Sequence, residues 1–180
     1  MRKFVAVIVI GFFASAHAGV LGTYGSWSYT HFTNQTDRWS AITLNDSGAS
    51  LAKFCYPGLG YCRWEFAAPI SCKNGSATPV LISSPAGALA STLICSGNTF
   101  QEGRNTLYEE YFNNPDDIDK AVMKGVGMFA VAFALNDGSF ESQRFNLQGA
   151  LNALSAMYKS MPPIQKTPGQ STDGAGGGQF

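Results

Sequence analysis

Gly127-Met128-Phe129-Ala130-Val131-Ala132-Phe133-Ala134-Leu135 is the stretch that decides the fold. Large Phe129, Val131, Phe133 and Leu135 alternate with Met128 and the small Ala130, Ala132 and Ala134. A two-residue period belongs to a β-strand, whose side chains point to opposite faces in turn. The bulky face needs a core, and the small face can lie close beneath another layer, so this strand is expected to be buried on both faces. It runs into Asn136-Asp137-Gly138-Ser139, where Asn and Asp before glycine tolerate the positive φ of a tight hairpin. The returning segment, Phe140 to Leu147, carries Glu141, Gln143 and Arg144 and predicts a half-exposed strand.

Upstream, the same period recurs. Trp27 to Phe32 and Arg38 to Leu44 are rich in aromatic and β-branched residues and flank the polar Thr33-Asn34-Gln35-Thr36-Asp37, which predicts two strands and a turn. Pro79 to Ser83 and Leu89 to Cys95 flank Ser84-Pro85-Ala86-Gly87, a second hairpin. Thr106 to Phe112 fits either one helical turn or an edge strand. Two helices are expected. The first opens at Asn114 with Pro115 in the first helical position and Asp116 and Asp117 at the positive helix start, and ends near Lys124-Gly125. The second covers Gln148 to Lys159, with Leu147, Leu151, Leu154 and Tyr158 as its apolar stripe. The fold class is therefore mainly β: an antiparallel, β-sandwich-like domain over residues 19–160 with two short helices. From 161 to 180 the composition turns to Pro, Gly, Gln, Ser and Thr, which cannot bury enough apolar surface to offset the entropy of ordering. That segment is expected to be a disordered tail.

The chain starts Met1-Arg2-Lys3, continues with an apolar run to Ala14 and reaches Ala16-His17-Ala18, a small-x-small site. This is the pattern of a cleavable secretory signal peptide over residues 1–18. The run is roughly half of what crosses about 30 Å of hydrocarbon, so no membrane span is expected. Without Arg2 and Lys3, ten basic residues face twelve acidic ones, a net charge near −2. Such a balance gives no long-range attraction to phosphate and argues against nucleic acid as partner. Cleavage at about Ala18 would leave a periplasmic or extracellular protein. Four cysteines, Cys55, Cys62, Cys72 and Cys95, then argue for two disulfides out of three connectivities. Cys55–Cys62 and Cys72–Cys95 are favoured: the first closes a turn through Pro57, Gly58 and Gly60, and the second clips one strand pair from start to end. Zinc is disfavoured, because these spacings lack close C-x2-C pairs.

No set of residues stands out as catalytic, cofactor-binding or metal-binding, and none is expected. His31 is the only histidine left after residue 18, and a lone histidine in an aromatic strand is usually structural. Ser50-Leu51-Ala52-Lys53 matches the S-x-x-K of serine acyltransferases without their S-D-N and K-T-G partners, so a solvated loop is expected there. Glu109, Glu110, Asp116, Asp117 and Asp119 concentrate carboxylates of the type that glycoside hydrolysis uses, but a solvated face with helix-start acids accounts for them. Gly58-Leu59-Gly60 and Gly125-Val126-Gly127 lack the frame of a nucleotide loop. Asn34, Asn45 and Asn74 open N-glycosylation sequons, which matter only in a eukaryotic host. Tyr56, Tyr61 and Trp64, next to the small disulfide loop, form the candidate binding surface, with core packing as the competing role.

The order Asp116-Asp117-Ile118 to Lys124-Gly125, then Phe129-Ala130-Val131-Ala132-Phe133, a hairpin, and Phe145-Asn146-Leu147-Gln148-Gly149-Ala150-Leu151-Asn152-Ala153-Leu154 resembles the C-terminal half of the invasion-associated locus B family. The resemblance covers about residues 72–158. It implies an exported bacterial β-sandwich protein of the cell envelope, and it transfers no catalytic residue. The leading functional expectation is a non-enzymatic exported protein acting by contact with a protein or envelope component. Two others follow: an inhibitor of a lysozyme or protease, and a small hydrolase using His31 or the carboxylates near Glu110.

Overall fold

The computed structural model describes residues 19–33, 37–102, 104–124, 126–135 and 138–165. The expected leader, the sequon at Asn34, the Asn136-Asp137 turn and tail residues 166–180 lie outside these. The described chain is mainly β, as its alternation predicts. Its strands are β1 (Gly19–Tyr24), β2 (Trp27–Phe32), β3 (Arg38–Leu44), β4 (Ser50–Tyr56), β5 (Tyr61–Ala68), β6 (Ala77–Ser84), β7 (Gly87–Glu102), β8 (Asn105–Phe112), β9 (Met128–Ala134) and β10 (Phe140–Asn146). All pair antiparallel in one ten-stranded sheet of order β1-β2-β3-β4-β5-β8-β7-β6-β9-β10. Helix α1 (Pro115–Val122) follows β8, and α2 (Ala150–Ser160) follows β10.

The sheet turns back on itself, which gives it the character of a sandwich. Trp27 Nε1 donates to Asn146 O at 2.8 Å and Ser26 N to Gln148 O at 3.1 Å, joining the start of β2 to the end of β10. Between the halves, Phe66 of β5 meets Phe133 and Phe145 edge-on, each at 6.2 Å. The principal core so enclosed holds Trp27, Trp64, Phe66, Phe112, Phe129 and Phe145, all fully buried. Edge-on rings contribute about 0.5–1.5 kcal/mol each beyond the area they bury. Both favoured disulfides are present. Cys55–Cys62 links directly opposed residues of β4 and β5, and Cys72–Cys95 ties the segment after β5 to β7.

Four expectations are corrected. Ser50 to Lys53 is not a solvated loop; it opens β4, every residue of which is buried. Thr106 to Phe112 is a strand, but a central one between β5 and β7 rather than an edge. Strand β9 buries only Phe129, Val131 and Phe133, while Met128 is exposed and Ala130 and Ala132 are half-open, because no layer among the described residues covers that face. The stripe on α2 holds at buried Leu147 and Leu154 and half-buried Tyr158 but not at Leu151, which is 39 % exposed, while Ala150, Ala153 and Met157 are buried against β1–β3. Gly149 brings the start of this helix close to the sheet. It has φ of 93°, and a Cβ there would lie 1.7 Å from Tyr24 O, so only glycine lets α2 start this close to β1. Helix α1 reaches its C-cap at Met123, next to the expected end near Lys124-Gly125.

Candidate functional site

The Cys55–Cys62 bridge fixes the register of β4 against β5, and that register builds one outward face. Tyr56 pairs with Tyr61, Phe54 with Arg63 and Ala52 with Glu65, while Phe32 pairs with Arg38 across β2 and β3. On the far side, Tyr111 of β8 pairs with Glu65. Since alternate residues share a face, these side chains form a second cluster on the other side of the sheet from the principal core.

Cations lie over aromatic rings across this face. The Arg38 guanidinium sits 4.7 Å from the Phe32 ring centre and 4.9 Å from that of Phe54. Arg63 lies 5.1 Å from Tyr111 and 5.8 Å from Tyr56. Arg63 is further held by two carboxylates, donating from Nε to Glu65 Oε1 at 2.6 Å and from Nη2 to Glu109 Oε1 at 3.2 Å. Tyr56 Oη donates to Glu65 Oε1 at 3.2 Å and Asn98 Nδ2 to Glu109 Oε1 at 3.3 Å. Burial, then the neighbouring Glu109, pushes the Glu65 carboxyl above its usual range, with Arg63 only partly offsetting them. Burial next to Glu65 pushes the Tyr56 phenol up to about 12. Burial works against the Arg63 charge, but Glu65 outweighs it and holds the guanidinium protonated.

Of the predicted binding residues, the structure brings Tyr56 and Tyr61 together, with ring centres 4.9 Å apart, and sets Trp64 apart from them. Trp64 points into the principal core, fully buried, with its ring edge-on to Trp27 at 6.2 Å. Arg38, Arg63, Phe54, Glu65 and Tyr111 complete the face and were not anticipated. A signal for two of them existed: a disulfide across a tight turn implies directly opposed strands, and the residues one step either side of Cys55 and Cys62, which are Phe54, Tyr56, Tyr61 and Arg63, share the face opposite the bridge.

The groups considered for catalysis lie elsewhere. Ser50 and Lys53 are three residues apart on one strand and so face opposite sides. Lys53 Nζ donates to Asp119 Oδ1 and Oδ2 at 2.6 and 2.7 Å, and Trp64 Nε1 donates to the same Oδ1 at 2.8 Å. Burial works against this ammonium, but Tyr158 and Asp119 raise its pKa, so it is not a free base for Ser50. His31 Nε2 meets Asp37 Oδ1 at 2.5 Å, and its ring stacks on Trp39 at 4.0 Å. The hydroxyl of the neighbouring Ser40 is on the other face of the sheet.

The carboxylates are corrected as well, because they do not form one solvated face. Glu109 and Glu110 are both buried and, being adjacent on β8, point to opposite sides. Glu110 is 7 % exposed on the core side, beside Cys95 and Phe66, and burial pushes its carboxyl up to about 7. Asp117 makes an exposed helical pair with Lys120 at 3.0 Å. Among the described residues no three His, Cys, Asp or Glu side chains are grouped to hold a metal ion, and no helix is long and apolar enough to cross a membrane.

No family model matches the chain, and no curated protein matches it. Among solved structures it is similar to invasion associated protein B from Bartonella henselae, with a TM-score of 0.50 and 15% sequence identity over 77% of this chain and 95% of that one. At that identity the likeness is one of fold, and it spans almost the whole of the other protein. It extends beyond the C-terminal half on which the sequence resemblance rests.

Proposed function

We propose that this protein is exported and acts by contact with another protein or an envelope component, without catalysis. One observation carries the reading: of the charged groups that offered chemistry in the sequence, Lys53 is held by Asp119, Glu109 by Arg63 and His31 by Asp37. Two disulfides suit an oxidising compartment and support export of the chain after its first 18 residues. The fold shared with a protein named for invasion gives the same direction. Tyr61 and Arg38, both half-buried at the rim of the outward face, are the groups through which it meets its partner. Aromatic and arginine side chains are the residue types that carry most binding energy at protein interfaces.

Native cross-linking followed by capture and mass spectrometry tests this. A reproducible partner is expected, and Tyr61→Ala with Arg38→Ala should reduce its recovery about tenfold while the melting temperature holds. An empty capture would sink the contact reading and favour a small-molecule or catalytic role.

A further inference from the structure

We propose that the outward face of β7, β6, β9 and β10 lies against an anionic lipid surface. This deepens the contact reading and rests on it, with the bilayer as the envelope component and a face remote from Tyr61 as the means. Register sets Ala90, Leu81, Ala132 and Ser142 in one row and Ala88, Ser83, Ala130 and Arg144 in the next. Around these rows the large apolar side chains are open to solvent: Phe140 is 80 % exposed, Val126 70 %, Leu81 55 % and Met128 48 %. Leu81 and Met128 line a shallow trough of about 320 Å³ together with Ala130, Ala132, Ser83, Ser142 and Arg144. A contiguous apolar surface of this kind marks an interaction site rather than chance exposure.

Charge decides the occupant. Within 77–84, 87–94, 128–134 and 140–146 the only charged residues are Glu141 and Arg144. Glu141 lies on the other side of β10, accepting from Gln143 Nε2 at 2.5 Å. Among the described residues of these strands Arg144 is therefore the charged group on the apolar face. A second copy docked through the same face would set Arg144 against a surface whose described residues hold no carboxylate, which is costly. An anionic bilayer provides both complements: phosphate for Arg144, and an apolar medium for Phe140, Leu81 and Met128. The embedded carboxylates Glu65, Glu109 and Glu110 sit on β5 and β8, away from this face.

Sedimentation with vesicles tests the assignment, using the chain from Gly19 onward, which holds every strand and both helices and excludes the apolar first 18 residues as a source of binding. Vesicles of phosphatidylglycerol and phosphatidylethanolamine should carry the protein down, less so as salt rises, and phosphatidylcholine vesicles should not. Phe140→Ser should lower partitioning about tenfold and Arg144→Gln about fivefold, both with unchanged circular dichroism. Protein that stays in the supernatant with anionic vesicles at low salt would overturn the proposal, as would a Phe140→Ser variant that binds equally well. A photo-cross-linker at position 140 that captures only protein from the envelope would also overturn it, in favour of a protein at this face. If the Tyr61 and Arg38 variants lose a captured partner while vesicles bind nothing, the contact reading survives and the lipid assignment alone falls.

Discussion

The two halves of the sheet handle charge in opposite ways. Around β4, β5 and β8, charged residues are set within the sheet and neutralised where they stand: Lys53 by Asp119 on the core side, Arg63 by Glu65 and Glu109 on the other. Around β6, β9 and β10 the outward side chains are mostly small or apolar, and among the described residues Arg144 has no ion-pair partner. A buried charge survives only with a partner and satisfied hydrogen bonds, so the first half is fixed by its pairs. An exposed apolar face needs no partner to fold, so the second half is free to meet something else. The rigidity of one half and the openness of the other arise from the same alternating strand pattern with different residues on the outward positions.

The sharpest way to break the comparison is to unpair the first half. Asp119→Ala leaves the Lys53 ammonium buried beneath Trp64 and Tyr158 and should cost about 3–5 kcal/mol in urea unfolding. Replacing both partners, Lys53→Met with Asp119→Leu, should recover most of that loss. An Asp119→Ala variant as stable as the parent would mean that the pair does not hold α1 to the sheet.

Glu110 comes next, as a buried carboxylate of this half with no cation beside it among the described residues. Its folded pKa of about 7 stands above the ordinary 4.5. Folding therefore favours the protonated form: stability is greatest below pH 4.5, falls as pH rises, and levels off above 7. The shift corresponds to about 3 kcal/mol. Glu110→Gln should raise the urea midpoint at pH 8 and leave it unchanged at pH 4, and equal midpoints at pH 8 would contradict the unpaired burial. A smaller effect is expected at Glu65. Glu65→Ala takes away the acceptor that Tyr56 and Arg63 share and should cost about 1–3 kcal/mol, measured with Glu109→Ala as the second arm of a double-mutant cycle.

Most of the strand framework was legible, because β2, β3, β6, β9 and β10 carry alternation or turn residues that survive without tertiary context. Strand β4 was hidden because its buried Lys53 and Ser50 look solvated until Asp119, far along the chain, is brought to meet them. Strand β8 was ambiguous for the same reason, with Glu109 and Glu110 masking its burial on both faces. The stripe on α2 was legible at Leu147, Leu154 and Tyr158 and failed at Leu151, because the close approach allowed by Gly149 favours Ala150 and Ala153 there. At the candidate face, Tyr56 and Tyr61 were legible from the disulfide turn, and the same register reaches Arg63. Arg38 and Tyr111 were not legible, since their place depends on the order in which β3 and β8 lie in the sheet.

The smallest expected effect bears on the open half. If β6, β9 and β10 fold without help from their outward side chains, Leu81→Ser and Phe140→Ser should each change stability by no more than about 0.5 kcal/mol. The side chains are 55 % and 80 % exposed, so little apolar area returns to water when they are shortened. Thermal unfolding of the two variants, at the pH and salt of the vesicle experiment, separates folding from function. A near-constant melting temperature with lost partitioning would assign these side chains to contact. A fall comparable to that of Glu65→Ala would instead show that this face is covered by the chain itself, and the contrast between the two halves would disappear.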